Sequence, residues 1–433
     1  MIEYDPDRAA KSDAAKNHTF CERQGRCLLG CLPAARLTLT KSLFAHLLQD
    51  PTNGVALWPR AEARHVRKTG GGYQVTFNDH RDGGGEQTVT APMVFLAAGT
   101  LGTTELLLRS QNAGGLELPG TVGQHFSANG DFGAFVVNTA ERVSSTRGPI
   151  NTCEVKALVD GTHLTVEDCA IPAMFASIAS TALSVLDSFA KRRLFHARLR
   201  LAWLTHSIPD LRDFLPHLPD TYDPNDARTE AEYVNNIFFV NVMGQDDASG
   251  TFRLDGDDLR LAWERPIVGH PTFAKADELC RHFAEAMGGD YVALWDALPR
   301  RRLMVTHPLG GCTIGADRTK GAIDEYGRVF DAGGAKPTDT HAGLFVVDGS
   351  AIPGALAVNP TLTITAQALK AVGMPSARLP PPQPRWLHSP VTRAVPKNAE
   401  HSRCGQILES VPSAVRRGDS LLTLIPRPPV EVG

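Results

Sequence analysis

The chain is poor in cysteine, with eight in 433 residues at positions 21, 27, 31, 153, 169, 280, 312 and 404. They lack the even, close spacing of a disulfide scaffold, so reduced thiols are expected. An excess of positive charge is missing too. Lys plus Arg number 44 against 47 Asp plus Glu, a net charge of -3, which leaves no electrostatic footprint for nucleic acid. Residues 1–16 are acidic and Ala-rich without a basic-then-apolar run, so no secretory signal is read there and a cytoplasmic location is expected. The longest uncharged run, Cys169 to Leu186, contains Pro172, Ser177, Ser180, Thr181 and Ser184, which argues against a membrane-spanning helix. No internal repeat is present. Nor is there any Gly-x-Gly-x-x-Gly, so the usual strand-turn-helix cradle for a dinucleotide pyrophosphate is not encoded.

What is present is a chain with 42% hydrophobic residues, able to bury a sizeable core and long enough for two or three domains. Leu43, Phe44, Leu47 and Leu48 recur at helical spacing over Lys41 to Gln49, and Asp50-Pro51 would stop that helix. A short strand is predicted over Val55 to Trp58. Tyr73, Val75 and Phe77 alternate with polar residues, Gly83-Gly84-Gly85 marks a turn, and a second strand is predicted over Val89 to Ala98. A helix carrying Leu106, Leu107 and Leu108 starts near Thr103. Between 131 and 263 strands are predicted over Phe132 to Val137 and Asn236 to Met243, with a hairpin through Asp255-Gly256-Asp257, the pattern of an antiparallel domain. A helix from Phe273 to Met287 follows. The uncharged run from Cys169 to Leu186 belongs to an apolar region that ends in Lys191, Arg192 and Arg193, with Arg198 and Arg200 beyond; it reads as a packed helix, with peripheral contact to a lipid surface as the alternative. From Leu379 onward, six prolines by Pro396 disfavour regular structure.

Three stretches carry chemistry. The first is His307-Pro308-Leu309-Gly310-Gly311-Cys312, preceded by a strand-like Leu303 to Thr306. Histidine is the side chain whose ordinary pKa lies nearest working pH, so His307 suits the removal of a hydroxyl proton, and the glycine pair would let backbone turn tightly against a flat ligand. Second, a buried strand over Phe345 to Val347 ends at Asp348-Gly349. Third, Asn359-Pro360 opens a helix through Thr361, Ile364 and Leu369, with Asn suited to the N-cap and Pro to the first helical position. On spacing alone Asn359 is an ordinary cap. A further segment, Val94 to Thr103, is a strand running into Gly99-x-x-Gly102 at a helix start, where backbone can approach a dinucleotide.

These stretches together resemble the C-terminal signature of the glucose-methanol-choline (GMC) flavoprotein oxidoreductases, most closely their cholesterol-oxidase-like branch. The resemblance is densest over residues 303 to 372 and extends from about 20 to 375. It implies an α/β fold: an FAD-binding, Rossmann-like domain, incomplete because the opening unit has no counterpart, with an inserted substrate domain of antiparallel sheet plus helices. The implied divisions are an N-terminal extension (1–19), an FAD-domain part (20–130), the substrate domain (131–299), the C-terminal FAD-domain part (300–378) and a Pro-rich tail (379–433). The cofactor implied is FAD. His307 and Asn359 would face the substrate hydroxyl across the flavin, while Asp348, Gly349, Pro360 and Thr361 would lie along the flavin and its ribityl chain. Ala98, Gly99 and Gly102 would pass beneath the cofactor and Val55 near its adenine. The implied reaction is oxidation of an alcohol, foremost a 3β-hydroxysterol, with another alcohol such as a fatty or sugar alcohol as the alternative. A further alternative is a split product that acts only with a separate N-terminal FAD-domain chain, or not at all.

Other candidates carry less. Cys21-x5-Cys27-x3-Cys31 invites a metal reading, but three thiols with only His18 nearby lack a fourth ligand, and no metal is expected. Cys312 reads as a small packing residue. Glu232 is the candidate for the buried glutamate with which some cholesterol oxidases isomerise a double bond.

Overall fold

The computed structural model describes residues 21, 23, 25–31, 35, 36, 38–50, 52, 54–172, 236–263, 269–297, 303–373 and 422–425. Helix α1 (Ala45–Gln49) continues a π-turn over Thr40–Phe44 and ends at the extended Asp50, as the sequence predicts. The predicted strand over Val55 to Trp58 does not form. Residues 54–58 are exposed and pair with no other segment, and an extended piece without a ladder partner is not a strand. Three strands then fold into an antiparallel meander: β1 (Ala61–Thr69), β2 (Gly72–Asp79) and β3 (Gly85–Ala91). Pro92 divides the long strand predicted over Val89 to Ala98, because proline has no N–H to continue the ladder. Beyond it, β4 (Val94–Leu96) joins a different sheet and leads into α2 (Gly99–Asn112). That helix starts a turn earlier than predicted, since the Asp348 carboxylate accepts the Gly99 N–H as a cap would.

The largest unit is a six-stranded antiparallel sheet. Its strands are β5 (Phe132–Val137), β6 (Glu154–Val159), β7 (Thr162–Cys169), β8 (Phe238–Gly244), β11 (Asp290–Ala293) and β14 (Leu422–Ile425), in the order β11-β5-β8-β7-β6-β14. The hairpin β9 (Thr251–Asp255) and β10 (Asp258–Ala262) forms through Gly256-Asp257 as predicted. Helix α3 (Pro271–Ala286) buries Phe273, Ala276, Leu279, Cys280, Phe283 and Ala284 at i, i+3, i+4 spacing against this sheet. A buried phenylalanine contributes about 1.5–3 kcal/mol relative to an exposed one, and Phe132, Phe238 and Phe273 make up the centre of this core. A short α4 (Leu294–Ala297) adds Trp295, edge-to-face on Phe132. Strand β14 corrects the expectation for the tail. Proline density disfavours structure over a long window, but Leu422 to Ile425 is a proline-free apolar run, enough to extend an edge beside β6.

A second core lies where β12 (Arg328–Phe330) and β13 (Thr340–Val346) join β4 in the order β12-β13-β4, packed with Leu106 and Leu107 of α2. β4 and β13 run parallel, so segments far apart in sequence lie side by side. Among the described strands this is the single parallel pairing; the architecture is one of mixed sheets and few helices. The last helix, α5 (Thr361–Ala371), buries none of its residues although its sequence is largely apolar, and Leu362 is 84% exposed. No described helix is long and apolar enough to cross a membrane, and the run from 173 to 203 lies outside the described residues.

Candidate functional site

Two segments meet where β13 ends. The Asp348 carboxylate accepts from Ser350 N and Oγ at 2.9 and 2.6 Å through one oxygen, and from Gly99 N and Thr103 Oγ1 at 2.9 and 2.5 Å through the other. Ala98 N in turn donates to Thr103 Oγ1. Asp348 thus ties the start of α2 to the loop after β13, and Gly349 O accepts from Gly310 N, bringing in the histidine segment. Ala98, Gly99, Asp348 and Gly349 therefore converge. Gly102 lies in the first turn of α2, where a Cβ would meet that of Ala98. Val55 is exposed in the irregular segment 54–58.

The glycine pair has a different reason from the one expected. At Gly310, φ is +80° and a Cβ would fall 1.8 Å from His125 O; at Gly311, φ is +101° and a Cβ would fall 2.3 Å from Thr104 Oγ1. The protein itself fills the space, with His125–Phe126 backbone at Gly310 and the Thr104 side chain at Gly311, so the glycines fit this loop onto residues 125–126 and α2. Cys312 follows as a fully buried residue, its thiol pushed up to about 12 by burial, in keeping with a packing role.

His307 does not follow a strand. Residues 303–306 form none, because the N–H groups of Thr306 and His307 are given to a carboxylate, Asp131, at 2.6 and 2.7 Å. The same group accepts from Thr306 Oγ1 at 2.8 Å and faces His307 Nδ1 at 2.8 Å. Asp131 is wholly buried. The opposite ring nitrogen, Nε2, lies 3.4 Å from Asn359 Nδ2, and that amide is 3.5 Å from Glu167 Oε2, which also accepts from Asn151 Nδ2 at 3.0 Å. The imidazole and the carboxamide from the last third of the chain are together.

Asn359 reaches this position because it is not the helix cap. Pro360, buried, occupies the N-cap of α5, Thr361 is the first, exposed helical residue, and the Asn359 side chain turns toward His307 instead of the helix amides. Its approach is held by Asn129, whose Oδ1 accepts from Leu356 N and Ala357 N at 2.8 and 3.0 Å and whose Nδ2 donates to Val358 O at 3.0 Å. Asn129 and Asp131, two positions apart before β5, thus grip the two halves of the site. Sequence reading missed both, together with Glu167. The signal available was Asn129-Gly130-Asp131 at a strand entry, with two polar groups ahead of an apolar run. Glu232, the glutamate singled out from sequence, lies outside the described residues.

Burial disfavours a charged His307, but the hydrogen bond and negative charge of Asp131, aided by Glu167, outweigh it and hold the imidazole above its ordinary value of 6.5. Such a base is free only above that raised value. We expect the His307 ring in the full chain to titrate with an inflection above 6.5, read from its NMR signal against pH; an inflection at or below it would refute the hold of Asp131 on the imidazolium. For stability the sign is opposite. The paired imidazolium contributes in full below 6.5, and its contribution is lost as pH climbs through the raised folded-state value.

Residues 258–368, which carry both His307 and Asn359, match the GMC oxidoreductase family. The chain is 27% identical over 379 residues to a cholesterol oxidase of Mycobacterium tuberculosis, covering 83% of this chain and 60% of that protein. It is 25% identical over 375 residues to a cholesterol oxidase of Acinetobacter baumannii, covering 81% and 60%. Over 119 residues it is 40% identical to a long-chain-alcohol oxidase of Arabidopsis thaliana, covering 28% of this chain and 13% of that one. The chain therefore spans 60% of the length of the two cholesterol oxidases. GMC oxidoreductases are FAD-dependent flavoproteins that act on CH–OH groups. Residues 258–368, with the histidine loop and the asparagine before α5 inside them, are similar to the C-terminal region of the GMC oxidoreductases.

Proposed function

We propose that the chain serves the FAD-dependent oxidation of an alcohol, with a 3β-hydroxysterol as the substrate class. The observation that carries this reading is the 3.4 Å approach of the exposed Asn359 Nδ2 to Nε2 of the half-buried His307, backed by two buried carboxylates. In the proposed reaction His307 Nε2 takes the hydroxyl proton, Asn359 orients the oxygen, and Asp131 offsets the charge that forms on the ring. Bound flavin supplies the hydride acceptor at N5.

The residues present fit one end of that cofactor. α5 begins without a side-chain cap directly beyond Asn359, so its first N–H groups would be available to negative charge on the ring of a bound flavin. Asp348, Gly349, Pro360 and Thr361 are the residues that would border the ring. They do not supply a pyrophosphate cradle, and the Gly99 N–H at α2 is already given to Asp348. The reading therefore includes a further segment or a separate chain that provides the Gly-rich turn. The exposed apolar side chains Met93, Phe95, Leu101, Leu362 and Val372 favour such a partner, since surfaces of this kind are costly to leave in water.

The substrate class rests on the two cholesterol oxidases. A long-chain alcohol is the second reading, favoured by the more similar but shorter match to the Arabidopsis oxidase. With the Gly-rich segment supplied, turnover of a 3β-hydroxysterol should exceed that of a long-chain primary alcohol by roughly 10-fold or more in kcat/KM. The reverse preference would assign the enzyme to the second class.

A further inference from the structure

We propose that Asp131 is a positioning residue that fixes His307 as the tautomer with its proton on Nδ1, leaving the Nε2 lone pair directed at the substrate side. This inference rests on the reading of His307 as proton acceptor. A carboxylate only accepts, so the 2.8 Å contact between Asp131 Oδ1 and His307 Nδ1 requires the hydrogen to lie on Nδ1. The other end of the ring agrees. Nε2 faces the Asn359 amide nitrogen, a donor that calls for a lone pair opposite.

Asp131 also differs from a simple ring partner in what else it holds. Its second oxygen receives the backbone N–H of His307 itself, the N–H of Thr306 and the Thr306 hydroxyl. One buried carboxylate therefore grips both the imidazole and the backbone from which it projects, which limits rotation of the side chain and keeps Nε2 aimed in one direction. The Thr306 hydroxyl gives its hydrogen to Asp131 and so does not compete for Nδ1 as a donor. The sites on Asp131 are filled from one side of the loop, while Glu167 and Asn151 approach Asn359 from β7 and the loop before β6. Asp131 thus meets the Nδ1 end of the imidazole, while Glu167 meets the Asn359 amide.

The test reads the ring directly and needs no flavin. The full chain is labelled with ¹⁵N-histidine, and the His307 signal among 15 histidines is identified by its loss in His307→Gln. At a pH where the ring is neutral, the unsubstituted protein should show protonated Nδ1 and unprotonated Nε2. In Asp131→Asn the amide can offer its own N–H to Nδ1, so the proton should move to Nε2; Asp131→Glu should keep the original tautomer. Protonated Nε2 in the unsubstituted protein overturns the proposal even if the Asn variant does not fold. An unchanged tautomer in folded Asp131→Asn overturns it as well. In flavin-loaded enzyme, Asp131→Asn should lower kcat by roughly 10²-fold or more with KM within a few fold, as expected for a misplaced proton, and Asp131→Glu should recover part of the loss. A switched tautomer with unchanged kcat would uphold the pairing and defeat His307 as the proton acceptor, so the two failures are distinguishable.

Discussion

Replacing His307 with Ala should lower kcat in flavin-loaded enzyme by roughly 10²- to 10⁴-fold, the range set by removing a general base. Flavin content should not change. The imidazole Nε2 is the one ring nitrogen of His307 not committed to Asp131, and the Asn359 amide beside it can orient a hydroxyl but cannot take its proton. The protein should stay folded because the buried Asp131 keeps three of its donors: the N–H groups of residues 306 and 307 and the Thr306 hydroxyl. Losing the fourth costs about 1–3 kcal/mol, a shift visible in a melting curve but short of unfolding a chain with two extensive cores. A kcat within threefold of the parent, at unchanged flavin content, would remove His307 from the chemistry. Asn359→Ala should be milder, since it leaves the base in place.

Local patterns foretold much of the scaffold. The strand over Phe132 to Val137, the Asp255-Gly256-Asp257 turn and the helix from Phe273 each depend on residues close in sequence, and each appears in the structure within two residues of its predicted bounds. Long-range partners were not readable. Gly99 starts α2 because Asp348, 249 positions later, accepts its N–H. The segment before His307 is no strand because Asp131, 176 positions earlier, takes its N–H groups. In both places a side chain from elsewhere replaced the local backbone pattern that propensity assumes. His307 and Asn359 were legible as residue types, and as neighbours only through the family resemblance. Their fixing groups, Asn129 and Asp131, carry only the short Asn129-Gly130-Asp131 signal before β5, which says nothing of the distant segments they hold. The misplaced cap has the same origin: Asn359 satisfies the local preference for an N-cap, yet Asn129 holds residues 356–358 so that its amide points to His307.

The second large effect concerns the cofactor. Purified by itself, the 433-residue chain should hold FAD well below one per protein, because the described helices of useful length offer few anion sites. At α3, the His270 side chain accepts the Thr272 N–H and Pro271 supplies none. At α2, Gly99 N is bound to Asp348. α5 also begins without a side-chain cap, and it adjoins the histidine–asparagine pair, where the isoalloxazine would lie rather than the diphosphate. A Gly-rich turn normally adds several hydrogen bonds to charged oxygens at about 1.5–3 kcal/mol each, so lacking two of them weakens binding by roughly 10²- to 10⁴-fold. The flavin absorbance bands, set against protein absorbance, measure the occupancy directly. Adding a separately expressed segment with strand, Gly-x-Gly-x-x-Gly turn and helix should raise it toward one and reduce dye binding at the exposed Leu101, Leu362 and Val372. A yellow protein near full occupancy without that segment would show that these residues bind the diphosphate by another route, and the partner would then be unnecessary.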